Sequence, residues 1–279
     1  MTTAHTPSRR ATRRLADTPA TVVDAAITER SILIVPIGAT EQHGDHLPLG
    51  TDTFLAQSFA DAAAERFGDE LDLWVLPTLA VTKSDEHAWS AGTLWLSADT
   101  MLSTMREIGN SVAMLGARKL VLLNSHGGNS GLLDVACREI RRATGLQTFL
   151  VHPVLPPDHG GHGADDEHGF GIHGGIDETS LMLHLHPDLV DLDAAVRNVP
   201  EWMGEYEHVR FGGTVGFGWT SDDFGPAGVI GDATLATAEH GEHLFEACLR
   251  TLADGLREVA RFDFPDSASA PSPDLTHDL

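Results

Sequence analysis

Glu41, His43 and Asp52 form the densest group of potential metal ligands in the sequence, within the segment EQHGDHLPLGTD (41–52). Glu41 and His43 are two residues apart, so a turning loop offers a carboxylate oxygen and an imidazole nitrogen side by side. Asp52 can give its two oxygens to neighbouring ions, as a site for two divalent metals requires. The alternative interpretation is a polar loop in which these residues only form turns and caps.

A second segment, NSHGGN (124–129), places His126 where a predicted strand becomes a helix. Its glycines allow the backbone to approach a bound species closely. The Lys-Ser/Thr pair of a phosphate-binding loop is missing, which argues against a nucleotide site.

A third segment, HGGIDETS (173–180), supplies His173 from a loop and Glu178 from the first turn of a helix. Asp177 and Glu178 have an alternative role as favourable charges at the helix N-terminus. This segment therefore adds an imidazole and a carboxylate to the candidate ligands.

The elements that must position these segments alternate between strand and helix. Short apolar runs predict buried strands, and apolar residues at helical spacing predict helices. The strands are predicted at 32–38, 71–79 and 119–128, and the helices at 53–67, 97–115, 129–144, 177–186 and 233–262. This alternation predicts a single-domain α/β fold with a mostly parallel sheet flanked by helices. Ligand sites in such folds lie at the carboxyl ends of the strands, where the candidate ligands are expected.

Residues 152–175 are rich in glycine, histidine and aspartate and show little periodicity, which predicts a long loop that is either functional or disordered. The histidines at its centre, His159, His162 and His168, are expected to be solvated rather than to bind metal.

The overall composition excludes several functional classes. The 279 residues suffice for one domain, predicted over 15–263 between disordered tails at 1–14 and 264–279. Lys and Arg number 18 against 41 Asp and Glu, and the formal net charge of −23 opposes binding to nucleic acid or to an anionic membrane surface. The sequence has no apolar run of 18 residues and no signal-peptide pattern, which predicts a cytoplasmic protein. Its two cysteines imply no disulfide framework.

Five segments together resemble, in order and spacing, the motifs of the creatininase (creatinine amidohydrolase) family. They are GATEQHGDHLPLGTD, SDEHAWSAGT, NSHGGN, HGGIDETS and GVIGDATLATAEHGEHLF. The resemblance runs from about residue 32 to 245. It implies an α/β hydrolase that binds two divalent metals, zinc or manganese with iron(II) as a further option, and cleaves cyclic amides, formamides or a peptide bond. It also implies a homo-oligomer, commonly a hexamer.

The resemblance assigns a role to each candidate ligand. Glu41, Asp52 and His126 would hold one metal. His43 and Asp52 would hold the other, with Asp52 bridging, and Glu178 would complete this second site or act beside it.

At three positions this sequence has glycine where creatininase itself has a functional side chain. It has a second-metal glutamate at the position of Gly128, and a tyrosine and a tryptophan near the substrate at those of Gly127 and Gly169. Creatinine is therefore not the expected substrate.

The implied mechanism is attack on an amide carbonyl by a metal-bound hydroxide, because coordination lowers the pKa of water toward about 7. His173 is the candidate for polarising the carbonyl or protonating the leaving nitrogen, and Glu178 for a metal ligand or proton shuttle. These two assignments can be reversed.

Ser84, Glu86 and His87 match the substrate-side loop of the family, although Lys83 stands where members commonly have a small residue. His87 has the alternative role of a structural, hydrogen-bonding histidine.

Three functional hypotheses follow. The first is an amidohydrolase acting on a small non-peptide amide. The second is a peptidase that trims a short modified peptide, as mycofactocin-type relatives do. The third is a catalytically silent metal-binding member, which the absence of a carboxylate at Gly128 favours.

Overall fold

The computed structural model describes residues 13–265 of the chain. Its main strands are β1 (Ile32–Ile37), β2 (Leu73–Val75), β3 (Lys119–Asn124) and β4 (Gln147–Val151). They form a parallel sheet in the order β2-β1-β3-β4. Ile34 pairs with Val75 on one side and with Val121 on the other, so β1 lies inside the sheet. The predicted α/β class with a mostly parallel sheet is confirmed.

Helices cover both faces of this sheet. They are α1 (Ala20–Ala26), α2 (Thr51–Leu71), α3 (Ala98–Met114), α4 (Ser130–Thr144), α5 (Ile176–Leu185) and α6 (Ala238–Arg261). Successive side chains of a strand point to opposite faces, so Ile32 and Ile34 pack with α2 and α6, whereas Leu33 and Val35 pack with α3 and α4. Because both faces are buried, β1 is apolar throughout rather than alternating. None of the helices between residues 13 and 265 is long and apolar enough to span a membrane.

The segment between α5 and α6 is mostly irregular. It contains the antiparallel pair β5 (Arg197–Asn198) and β6 (Gly231–Asp232). A small apolar cluster of Phe170, Met203, Phe211 and Ile230 packs this segment against the end of the 152–175 loop.

Some element bounds differ from the predicted ones. Asp72 adopts the left-handed conformation and ends α2 only after Leu71, so β2 occupies a short part of the predicted strand 71–79. The closing helix begins at Ala238, where the Thr237 side chain caps it. The sequence analysis did not predict β4.

Residues 1–12 and 266–279, which make up most of the two predicted tails, lie outside the described residues. Arg13 and Arg14 form ion pairs with aspartates of the domain. The division into one domain and two tails stays a prediction. Both cysteines are free thiols.

Candidate metal centre

The candidate ligands meet at the carboxyl end of the two central strands. Glu41 and His43 follow β1, His126 follows β3, and Asp52 lies in the first turn of α2. A Cβ atom at Gly38 would lie 2.4 Å from the backbone nitrogen of Thr53, so glycine lets α2 begin directly against the end of β1. This close approach brings Asp52 beside the loop that carries Glu41 and His43.

The carboxylate of Asp52 faces two imidazoles, one with each oxygen. Its Oδ1 lies 3.2 Å from His43 Nε2, and its Oδ2 lies 3.2 Å from His126 Nδ1. Glu41 Oε1 lies 3.3 Å from the same Nδ1 atom. All four side chains are buried, and neither Glu41 Oε1 nor Asp52 Oδ2 has a hydrogen-bond partner among residues 13–265. Buried carboxylate oxygens without partners are costly, and they fit a divalent cation.

Glu178 approaches this group from the first turn of α5. Its Oε2 lies 3.9 Å from His43 Nε2 and accepts a 2.6 Å hydrogen bond from the backbone N–H of Gly174. Single ligand atoms of His43, Asp52 and Glu178 lie within 4.8 Å of one another. Glu178 is therefore placed to complete a group with His43 despite the absence of a side chain at Gly128.

The pKa values of two buried histidines, His43 and His126, show that the centre favours positive charge. Burial by itself lowers the pKa of His43, but the carboxylates of Asp52, Glu178 and Glu41 outweigh burial and raise it to about 10. The pKa of His126 lies well above its ordinary value for the same reason, with Glu41 and Asp52 as the main partners. Without metal, protonated imidazoles supply the charge that the buried carboxylates require.

His173 and His87 line the opposite side of Glu41. Glu41 Oε1 lies 3.6 Å from His173 Nδ1 and 3.5 Å from His87 Nε2. The ring of His173 lies 4.2 Å, between centroids, from both the His43 and the His87 rings. Burial and these two neighbouring imidazoles hold the pKa of His173 well below its ordinary value.

Gln42 orients these two histidines, a role that the sequence analysis missed. Its side-chain N–H₂ group lies 2.8 Å from His87 Nδ1, and its backbone carbonyl accepts a 2.6 Å hydrogen bond from His173 Nε2. Its side-chain oxygen accepts from the N–H of Gly44. Gln42 gave only a weak sequence signal, because its role depends on which imidazoles its amide contacts in the fold.

The residues predicted to bind substrate contact the ligand candidates. The Ser84 hydroxyl donates to Glu41 Oε2, Glu86 Oε1 lies 3.2 Å from His126 Nε2, and His87 contacts Gln42. Their substrate-binding role stays a prediction.

The loop 152–175 lines part of a partly open pocket of about 60 Å³ beside the centre. His126, His173 and Glu178 line one side of the cavity, and the apolar side chains of Phe59, Val154 and Leu181 line another. The cavity has room for a small ligand next to the candidate metal ligands.

The carboxylate that holds this loop belongs to Glu167, a residue that the sequence analysis treated only as part of a solvated loop. Its Oε1 accepts hydrogen bonds from the backbone N–H groups of Ile176, at 3.0 Å, and Asp232, at 2.6 Å. The loop histidines His159, His162 and His168 are all exposed, and His159 also contacts the Gly127 carbonyl.

Comparison with known proteins agrees with this geometry. The family model described as creatinine amidohydrolase (creatininase) matches residues 16–256. The chain belongs to the creatininase family. It is 35% identical over 251 residues to creatinine amidohydrolase of Pseudomonas putida, covering 81% of this chain and 89% of that protein. It is also 35% identical over 219 residues to mycofactocin precursor peptide peptidase of Mycobacterium ulcerans (strain Agy99), covering 76% and 79%.

Solved creatininase structures share the fold. A manganese form of creatininase superposes with a TM-score of 0.70 at 30% identity, covering 90% of this chain and 100% of that one. A variant creatininase of the Zn-Zn type gives 0.69 at 29% identity, covering 91% and 100%. The chain is therefore a hydrolase of the creatininase family, and the assignment of its metal ligands stays a prediction.

Proposed function

We propose that this chain is a dinuclear metal-dependent amidohydrolase that cleaves the C–N amide bond of a small non-peptide substrate, a cyclic amide or a formamide. The observation that carries the proposal is the Asp52 carboxylate, whose two oxygens face imidazoles from two different loops. One metal would be held by Glu41, Asp52 and His126, and the other by His43, Asp52 and Glu178. Zinc and manganese both suit this mixture of imidazole and carboxylate ligands.

Two such ions supply Lewis acidity at the amide oxygen and lower the pKa of water. The chain's own residues provide the proton transfer. The Nε2 proton of His173 is held by the Gln42 carbonyl, so Nδ1 is the nitrogen that faces the centre. We assign to this Nδ1 the uptake of the proton that the attacking water releases and its delivery to the leaving nitrogen as the C–N bond breaks. Glu178, held by the Gly174 N–H, acts as a ligand in this assignment.

The pocket beside the centre is compatible with a small substrate. It is a concave, partly open pocket that the 152–175 loop helps to line, with apolar side chains on one side and candidate metal ligands on another. The second candidate function is trimming of a short modified peptide, because a relative named mycofactocin precursor peptide peptidase is as similar in identity as the creatinine amidohydrolase relative.

The test begins with the metal content of protein purified without chelator. We expect about two divalent ions per chain in the wild type and about one in Glu178→Gln, because the second site loses a charged ligand. Asp177→Asn is the matched control: this neighbouring carboxylate pairs with His240 and has no contact with the candidate ligands in the described structure. Its metal content should equal that of the wild type.

Hydrolysis is then assayed on cyclic amides, formamides and short peptides. Release of amine from the small amides supports the proposal, whereas cleavage of peptides alone supports the peptidase. A chain that holds both ions and cleaves none of the three classes contradicts both and supports a silent family member.

A further inference from the structure

Glu86 contacts the His126 ring at Nε2, and single ligand atoms of Glu41, Glu86 and His126 lie within 4.8 Å of one another. His126 Nδ1 faces Glu41 and Asp52, whereas His126 Nε2 lies 3.2 Å from Glu86 Oε1. The same Nε2 atom lies 2.9 Å from the backbone carbonyl of Lys83. Both nitrogens of the ring therefore have acceptors in fixed positions. When a metal is bound, the single ring proton belongs on Nε2, which leaves the Nδ1 lone pair directed at the centre.

The carboxylate of Glu86 occupies the space next to Gly128. A Cβ atom at position 128 would lie 1.7 Å from Glu86 Oε1 and 2.6 Å from His126 Nε2. Any side chain there would displace the carboxylate from the ring. Glycine at 128 and glutamate at 86 thus form a complementary pair.

Lys83 and a backbone contact hold Glu86 in this position. Lys83 Nζ lies 3.2 Å from Glu86 Oε2, and the Glu86 side chain is only 10% exposed. The Ser221 hydroxyl donates to the Glu86 carbonyl, and the Trp89 indole N–H donates to the Ser221 hydroxyl. The carboxylate is therefore anchored at its charged end and through its backbone.

We propose that Glu86 is a positioning residue that fixes the His126 ring for metal binding through Nδ1, and that Lys83 holds Glu86 in place. The proposal rests on the dinuclear function proposed above, and it replaces the substrate-binding role predicted for Glu86. A carboxylate on the distal N–H of a metal-binding imidazole fixes the ring's tautomer and raises its basicity, and its loss typically weakens metal affinity about 10- to 100-fold.

The test compares Glu86→Gln and Glu86→Ala with the matched control Asp85→Asn. Asp85 is adjacent, also pairs with Lys83, and has a half-exposed side chain with no contact to His126. Zinc affinity is measured by competition with a chromophoric chelator, and the visible spectrum is recorded after cobalt(II) loading. We expect Glu86→Gln to lower the affinity for one of the two ions about tenfold and to alter the cobalt spectrum. Glu86→Ala should lower the affinity for that ion further. Asp85→Asn should leave the zinc affinity and the cobalt spectrum unchanged.

Lys83→Met provides a second test that leaves Glu86 in place. It should lower the affinity for the same ion less than Glu86→Gln does. Added to Glu86→Gln in a double variant, it should cause no further loss of affinity. Unchanged zinc affinity and cobalt spectrum in both Glu86 variants, with a raised KM, would overturn the proposal in favour of substrate binding. A wild-type chain that binds no divalent ion would instead refute the dinuclear function itself.

Discussion

The Asp52 carboxylate explains why the centre needs cations. It is buried together with Glu41, and Glu86 and Glu178 lie within reach of the same imidazoles. Burying several carboxylates is costly unless each oxygen finds a proton donor or a metal. The two candidate sites share Asp52, so the occupancy of each site depends on this side chain.

We therefore expect Asp52→Asn to reduce the metal content from about two ions per chain to less than one, because the neutral amide offers one carbonyl oxygen in place of two anionic carboxylate oxygens. Elemental analysis measures the change. Asp61→Asn on the same helix is the control, since it removes only an exposed ion pair with Arg14 and should keep both ions. An Asp52→Asn protein with the full wild-type metal content would show that Asp52 does not bridge.

Three residues of the candidate centre could be predicted because each one follows a strand. Glu41, His43 and His126 are strong metal ligands that come directly after buried apolar runs, and the structure brings them together. Gln42 could not be predicted, because its amide acts only through the rings of two histidines that come from other segments.

At the level of elements, the strands were easier to predict than the loop that covers them. The two central strands, β1 and β3, are six residues long and buried on both faces, which gives a continuous apolar signal. β2 keeps only three residues, because the end of α2 and its left-handed cap Asp72 occupy the start of the predicted strand and the pairing with β1 ends at Val75. The loop 152–175 has no periodicity, so its path depends on tertiary contacts such as those of Glu167.

Glu167 is expected to stabilise this loop. Glu167→Ala leaves the N–H groups of Ile176 and Asp232 without an acceptor, and it opens a space beside Gly175 and Gly231, which lie against the carboxylate. We expect the free energy of unfolding to fall by about 2 kcal/mol, measured by urea denaturation. kcat should also fall, because the same loop carries His173.

The control for this prediction is Asp166→Asn, an adjacent and exposed carboxylate. It should unfold at the wild-type urea concentration. If Glu167→Ala is as stable as this control, water accepts the two hydrogen bonds in place of the carboxylate without lowering the free energy of unfolding.

For the whole molecule, the parallel sheet is what assembles the centre. The candidate ligands extend from Glu41 to Glu178 and come from the loops after β1 and β3 and from two helix N-termini, and the strand order places β1 beside β3. The alternation of elements was sufficient to predict this edge as the site. It was not sufficient to predict that Glu86 would occupy the space beside Gly128, because that depends on packing between loops distant in sequence.

The net charge leads to a prediction for the stability of the whole chain. A formal charge of −23 produces repulsion among acidic groups across the surface, and added salt screens it. Exposed ion pairs such as Arg66–Glu246 are screened as well, but pairs of this kind contribute little. We therefore expect Tm to rise as sodium chloride increases from about 0.01 M to about 0.5 M, over which the Debye length falls from about 30 Å to a few ångströms. The measurement is thermal unfolding of chelator-treated protein at neutral pH, repeated with potassium chloride so that a specific sodium effect is excluded. A Tm that falls with both salts would mean that the surface ion pairs outweigh the repulsion.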